Sequence, residues 1–321
     1  MKVVESKSEG GVWSSLSIYK REVHFLRSLN HYNVIRFIGA YEDRKYLYIV
    51  TEKYGGGEVF DRILQEKRLN ESDAASVMYQ AFSAIAYIHS MGIVHRDIKA
   101  ENFLFANDGT VKLIDFGLAA WVDSDSQYLS SVVGSAHYLA PEMIRQKYSK
   151  SVDVWSAGVM TYLILFGRYP FDGQSDEQII RRIKRGTIDW SGDHLSSAAF
   201  DFLHQLLQID VSARPTAKDV LNHRFFESVD ERTEAGEDEV QARQVFEIPD
   251  TVIQDLRTRA EEGRLSRRAS LEHERKFKIA EALSFQQRDN RRRLSRSPPM
   301  VAAALVSPKR IADFTDKRIH V

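Results

Sequence analysis

The stretch IVHRDIKAENFLF, residues 93–105, decides how the rest of the chain is interpreted. It places a carboxylate, an amine and an amide (Asp97, Lys99 and Asn102) between a predicted helix and a short apolar run. A carboxylate can accept a proton, an ammonium group can hold a negatively charged oxygen, and an amide oxygen can bind a hard metal ion. Together these groups indicate transfer of an anionic group. The alternative is a charged surface loop without chemistry.

Three further motifs follow in a fixed order. VKLIDFGLAA, residues 111–120, puts Asp115 directly after a predicted buried strand, a position that suits a metal-binding carboxylate. GSAHYLAPEMI contains Ala140–Glu142, and SVDVWSAGV begins a predicted helix. In this order H-R-D-x-x-x-x-N, D-F-G, A-P-E and D-x-W-x-x-G are typical of one family, and the chain resembles eukaryotic protein kinases.

That resemblance implies roles for the first set of residues. Asp97 would accept or orient the proton of a substrate hydroxyl, and Lys99 would hold the γ-phosphate of ATP during transfer. Asn102 and Asp115 would bind Mg²⁺ against the phosphates. His95 is expected to be a packing residue rather than a general base.

The resemblance also places the adenine site. LYIVTEKYGGGEVF looks like the segment that joins the two lobes of a kinase. Thr51 would be the gatekeeper, and Glu52 and Tyr54 would offer backbone groups to the adenine edge. Leu104 would form part of the adenine floor, and Glu58 would contact the ribose or a substrate arginine.

The start of the chain departs from the family pattern, because it has no G-x-G-x-x-G loop. We interpret residues 1–4, MKVV, as the strand that carries the phosphate-binding lysine. Lys2 would then be that lysine, and Glu22 its ion-pair partner on the following helix. The sequence is therefore expected to be N-terminally truncated relative to a complete kinase. The competing interpretation is a catalytically inactive pseudokinase that acts as a scaffold.

The predicted fold class is α+β, a bilobal kinase fold with an incomplete strand-rich N-lobe and a complete helical C-lobe. The predicted boundaries are 1–54 for the N-lobe and 55–228 for the C-lobe. An acidic linker, 229–256, and a basic, disordered or partly helical regulatory tail, 257–321, are predicted to follow.

Within the family, the spacing of Asp97 and Lys99, with Ser135 in GSAHY, resembles serine/threonine rather than tyrosine kinases. FDRIL, HRDIKAENFLF and GSAHYLAPE look most like the calcium/calmodulin-dependent and calcium-dependent group. The implied reaction transfers the ATP γ-phosphate to serine or threonine of proteins that carry basic residues upstream.

Regulation is predicted at four positions. Arg96 would pair with a phosphate on the activation segment, residues 115–142, and Ser131 lies where such a phosphate is expected. RRAS and RRRLS end at Ser270 and Ser295, and their arginines suit a basophilic kinase. The tail would be an autophosphorylation, pseudosubstrate or calmodulin-binding segment. The alternative is a solvated loop and tail.

Composition excludes several other classes. The chain has 45 Lys+Arg and 45 Asp+Glu, so no net charge attracts it to nucleic acid. It has no cysteine, which excludes disulfides and thiol chemistry, and no apolar run of membrane-spanning length. We expect a protein of the cytoplasm, with the nucleus as a second location.

Overall fold

The computed structural model describes residues 2–5, 12–42, 46–122, 127–191, 195–227 and 229. Its N-terminal lobe is a small antiparallel sheet with one long helix. Strands β1 (Lys2–Glu5), β2 (Phe37–Glu42) and β3 (Tyr46–Thr51) pair in the order β1-β3-β2. Helix α1 (Val12–Ser28) contributes buried apolar side chains, among them Phe25 and Leu26. Aromatic and β-branched residues fill β3, as a half-buried sheet requires.

The C-terminal lobe is mainly helical. Its elements are α2 (Val59–Glu66), α3 (Glu71–Ser90), β4 (Ile93–Val94), β5 (Phe103–Phe105), β6 (Val111–Leu113), β7 (Ala120–Trp121), α4 (Pro141–Ile144), α5 (Ser151–Phe166), α6 (Asp176–Arg185), α7 (Ser197–Leu206) and α8 (Ala217–Val220). Short 3₁₀ turns lie between several of them. Within the described ranges, no helix combines the length and the apolar character needed to span a bilayer.

Helix α5 forms the centre of this lobe. Every residue from Val152 to Phe166 is buried, and the helix packs against α3. A helix that is apolar on all sides is stable only when other elements surround it. It ends at Gly167, whose φ of 68° is the left-handed conformation that closes a helix without a Cβ clash. The lobe is therefore assembled around α5.

Two short strand pairs bring the chemical motifs together. β5 pairs with β6 and β4 pairs with β7, both antiparallel. The N–H of Ile114 donates to the carbonyl of Asn102 at 2.9 Å, so the end of β6 lies beside the catalytic loop, residues 95–102. The H-R-D-x-x-x-x-N and D-F-G motifs thus become neighbours.

The predicted α+β, bilobal class is confirmed, with a few strands in the N-lobe and a helical C-lobe. From its sequence, TAKDVLNHRFF, residues 216–226, is predicted to form one helix, and this prediction is wrong. Helix α8 ends at Val220, and a separate 3₁₀ turn covers Arg224–Phe226. His223 caps that turn, because its Nδ1 accepts from the Phe225 N–H at 3.1 Å, and such side-chain acceptors compete with helix continuation. Residues 230–321, which include the predicted tail, lie outside the described part.

Candidate active site

The catalytic loop surrounds the Asp97 carboxylate with hydrogen-bond donors. The Asn102 Nδ2 donates to the Asp97 carbonyl at 2.7 Å and to its Oδ2 at 3.0 Å. The Lys99 Nζ lies 3.3 Å from the same Oδ2. From the activation segment, the Ser135 Oγ donates to Asp97 Oδ1 at 3.3 Å and accepts from Lys99 at 3.2 Å. The structure therefore brings Asp97, Lys99 and Asn102 together, with Ser135 as an additional contact.

A buried carboxylate at the start of α5 holds this loop in a strained conformation. Arg96 has a φ of 67°, unfavourable for a residue with a side chain. Its N–H and that of His95 each donate to Asp153 at 2.8 Å, and the His89 Nε2 lies 2.9 Å from the same carboxylate. Burial opposes ionisation of Asp153, but the hydrogen bond and the electrostatic interaction with the His89 ring outweigh burial and lower the Asp153 pKa. Strain of this kind persists only where several contacts fix it.

Gly134 allows the activation segment to approach the catalytic loop. Its φ is 101°, and a Cβ at this position would lie 2.7 Å from the carbonyl oxygen of Arg96. Only glycine fits both the conformation and the space. The glycine of GSAHY is therefore explained by the contact it permits next to Asp97.

Asp115 lies where three elements meet. Its φ is 60°, and its Oδ1 accepts from the Gly117 N–H at 3.2 Å and from the Lys2 Nζ at 3.0 Å. The Lys2 Nζ also contacts both carboxylate oxygens of Glu22, at 2.9 and 2.8 Å. Burial opposes the charge on Lys2, but Asp115 and Glu22 outweigh it and raise the Lys2 pKa. The ion pair expected between β1 and α1 is therefore present in the structure.

The donor set fits a magnesium ion. Because the Asn102 Nδ2 is bonded to Asp97, the amide oxygen of Asn102 points to the opposite side of its group. Asp115 supplies a carboxylate close by, since its neighbour Ile114 is hydrogen-bonded to Asn102. In the described residues, no group of three or more His, Asp or Glu side chains could hold a metal by itself. One or two protein oxygens, completed by phosphates and water, are the usual ligands of Mg²⁺.

The predicted adenine-contacting residues follow β3 directly. Thr51 ends that strand. The Glu52 N–H donates to the Arg36 carbonyl at 3.0 Å, which extends the sheet pairing by one residue. The Tyr54 hydroxyl donates to the Glu52 carboxylate at 3.3 Å. Burial, followed by the charge of Glu52, raises the Tyr54 pKa to about 12.

Leu104 and Glu58 lie on the opposite side of this connection. They form an isolated antiparallel bridge, so the start of α2 is attached to β5. The Gly56 N–H donates to the Phe105 carbonyl, and the Phe105 N–H donates to the Gly57 carbonyl, both at 2.9 Å. These bonds hold the GGGE turn against β5.

His95 is a packing residue, as expected. Its ring is fully buried and lies edge-on to Phe116, with ring centres 5.0 Å apart. Burial lowers the His95 pKa, so the ring is neutral. Its Nε2 lies 3.1 Å from the Ile114 carbonyl, which leaves the ring without access to a substrate. Leu26 of α1 is likewise a buried apolar residue of the core.

The sequence did not single out Tyr148. The Arg96 Nη1 donates to its hydroxyl at 3.1 Å, and this hydroxyl donates to the Ser131 carbonyl. Arg96 and Ser131 are therefore connected, but through a tyrosine. Tyr148 lies in QKYSK, residues 146–150, which contains no motif that would identify it from the sequence.

A buried ion pair between Arg214 and Glu142 stabilises the end of the activation segment. The Arg214 guanidinium contacts both Glu142 oxygens, and its Nη1 donates to the Ser151 carbonyl at 2.9 Å. The guanidinium also lies over the Trp155 ring, 5.1 Å from its centre. This pair fixes the end of the segment to α5 and to the loop before α8.

Activation of a hydroxyl and binding of a metal are thus available at one place, where the sheet lobe meets the helical lobe. Asp97 supplies the first function, and Asn102 with Asp115 supplies the second. Lys2 adds positive charge beside Asp115, and Lys99 adds it beside Asp97. This combination defines the class of phosphotransferases.

Comparison with known proteins narrows the class to one family. The sequence profile of the family described as "Protein kinase domain" matches residues 1–226. The chain therefore belongs to the protein kinase family. The prediction from its motifs is confirmed.

Two similar proteins are named as calcium/calmodulin-dependent or calcium-dependent protein kinases. The chain is 37% identical over 230 residues to a "Calcium/calmodulin-dependent protein kinase type 1" of Macrobrachium nipponense, covering 70% of this chain and 65% of the relative. It is 35% identical over 232 residues to "Calcium-dependent protein kinase 5" of Plasmodium falciparum, covering 70% of this chain and 40% of the relative. The predicted likeness to this group of serine/threonine kinases is confirmed. The chain spans only 40–65% of the length of these relatives.

Proposed function

We propose that this protein transfers the γ-phosphate of ATP to serine and threonine hydroxyls of other proteins. One observation carries the proposal: Asp97 is held by Asn102 and Lys99 beside the Asp115–Lys2 ion pair. Phosphoryl transfer demands little covalent chemistry from a protein, so positioning and charge neutralisation supply most of the acceleration. These residues provide both.

Each side chain has a defined part in this proposal. The Asp97 carboxylate orients the incoming hydroxyl and accepts its proton. Its second oxygen accepts from Asn102, which prevents rotation. Lys99 stabilises negative charge on the transferred group. Ser135, which contacts both, lies on the segment that would also contact a peptide substrate.

ATP and Mg²⁺ are the cofactors we propose. ATP supplies the phosphoryl group, and the metal neutralises its oxygens when bound. Asn102 and Asp115 would hold Mg²⁺, and Lys2, braced by Glu22, would contact the phosphates. The segment Thr51–Tyr54 would contact adenine.

We propose protein substrates with arginine or lysine upstream of the acceptor, read in part by Glu58. Because two relatives are named for calcium or calmodulin dependence, we also propose a calcium-linked regulator, with calmodulin as the first candidate. The alternative of an inactive scaffold finds no support in the family match or in the relatives.

The test uses the full chain and a library of serine- and threonine-containing peptides. Wild type should incorporate phosphate from labelled ATP with Mg²⁺, and Asp97→Asn and Asp115→Asn should each lose at least about 100-fold. Asp189→Asn, at an exposed ion pair with Arg168, is the matched control and should be active. ATP with Mg²⁺ should raise the Tm of wild type more than that of Asp115→Asn. Equal activity in all four proteins would exclude the assignment.

A further inference from the structure

One tyrosine connects the activation segment to the catalytic loop. The Tyr148 hydroxyl accepts from the Arg96 Nη1 at 3.1 Å and donates to the Ser131 carbonyl. Its backbone pairs with Leu129, with N–H to carbonyl distances of 2.8 and 3.1 Å. Tyr148 is 1% exposed, so water does not compete for these bonds. A single residue thus makes three hydrogen bonds to the segment and one to the catalytic loop.

Arg96 contacts the same segment at a second point. Its Nε donates to the Leu118 carbonyl at 2.7 Å, near the start of the segment. Through Tyr148, it is also connected to Ser131, thirteen residues further along. The guanidinium is therefore bonded to neutral oxygens at both places. Because Arg96 precedes Asp97 and has a strained backbone, loss of these bonds would affect the catalytic carboxylate directly.

Neutral contacts of this kind do not depend on a phosphate. Burial raises the Tyr148 pKa, with partial opposition from Arg96, so the phenol keeps its proton at neutral pH. The bond to Ser131 uses the backbone carbonyl rather than the side chain. Alanine at position 131 would therefore keep the bond, while phenylalanine at position 148 would remove it.

We propose that Tyr148 is a positioning residue for the phosphotransfer reaction. By joining Arg96 to Ser131, it fixes the part of the activation segment that brings Ser135 to Asp97. This arrangement is held without a phosphate on Ser131. The inference rests on the proposed function, and it concerns how the same site is kept in its working conformation.

Three variants of the full chain test it. Tyr148→Phe removes one hydroxyl, and Ser131→Ala removes the acceptor of any phosphate. Tyr162→Phe is the matched control. Tyr162, in α5, is also buried, and its hydroxyl also donates to a backbone carbonyl, that of Asp189. The measurements are kcat and KM for peptide and for ATP, and hydrogen exchange of the amides in residues 127–135.

Tyr148→Phe removes both hydrogen bonds of the hydroxyl, so it should lower kcat/KM for peptide at least about tenfold. The KM for ATP should stay within about twofold, since the adenine segment is not touched. Amide exchange in residues 127–135 should become about tenfold faster in this variant alone. Ser131→Ala and Tyr162→Phe should match wild type in both measurements.

Two results would overturn the proposal. One is wild-type activity and exchange in Tyr148→Phe. The other is a loss in Ser131→Ala as large as that in Tyr148→Phe. A failure of the proposed function is distinguishable, because wild type would then transfer no phosphate to any peptide. In that case the exchange measurement still decides whether Tyr148 fixes the segment.

Discussion

Removal of the Glu142 carboxylate should strongly destabilise the helical lobe. Arg214 is fully buried on its side chain, and Glu142 is 6% exposed. All three guanidinium nitrogens of Arg214 donate hydrogen bonds, to Glu142 and to the carbonyls of Gln208 and Ser151. Glu142→Ala would leave a buried positive charge without its counterion. Breaking such a pair from one side costs about 3–5 kcal/mol.

That cost converts into a measurable shift. A domain of this size loses about 2–4 °C in Tm per kcal/mol, so Glu142→Ala should unfold roughly 6–20 °C below wild type. Thermal unfolding followed by circular dichroism measures this. The control is Asp189→Ala, which removes an exposed ion pair with Arg168 and two exposed hydrogen bonds from Ser191. It should lower the Tm much less than Glu142→Ala does. Equal shifts in the two variants would refute the reasoning.

Two further predictions concern packing and pH. Gly134→Ala should lower activity at least about tenfold with little change in ATP affinity, because the added Cβ meets the Arg96 carbonyl; kinetics and an ATP titration check this. His31 stacks on Tyr87, and burial, then the charge of Lys112, lowers its pKa to about 4. Between pH of about 6.5 and 4 the unfolded chain binds a proton that the folded chain does not, so stability should fall by roughly 3 kcal/mol as pH falls. Urea unfolding should show this slope in wild type and a flatter one in His31→Phe; equal slopes would contradict it.

The elements with strong periodicity could be predicted from sequence. Helices α3 and α5 have long apolar patterns, and β2 and β3 have aromatic and β-branched residues between turn signals. The break after α8 could not be predicted, because it depends on His223 bonding to a backbone N–H. This contact is local, but Ser, Thr, Asn and Asp are the residues whose side chains commonly bond to nearby backbone groups, so a histidine at this position gives no clear sequence signal.

The chemistry of the site was predictable for a similar reason. Asp97, Lys99 and Asn102 occupy six consecutive positions, so local sequence determines their proximity. Lys2, Glu22 and Asp115 are far apart in sequence, and their contact was predicted only through the resemblance to a known family. Tyr148 had neither signal. Its role depends on a partner fifty-two residues away, and such distant contacts leave no local pattern.

The ammonium group of Lys2 touches carboxylates from two separate elements, one on α1 and one beyond β6. Since its side chain is 38% exposed, a small amine-selective reagent can reach it. Protonated amines react slowly, and both carboxylates favour protonation. Covalent labelling of Lys2 should therefore become faster whenever Glu22 or Asp115 moves away from it. The labelling rate, measured by mass spectrometry, would report whether α1 and the loop after β6 both contact Lys2.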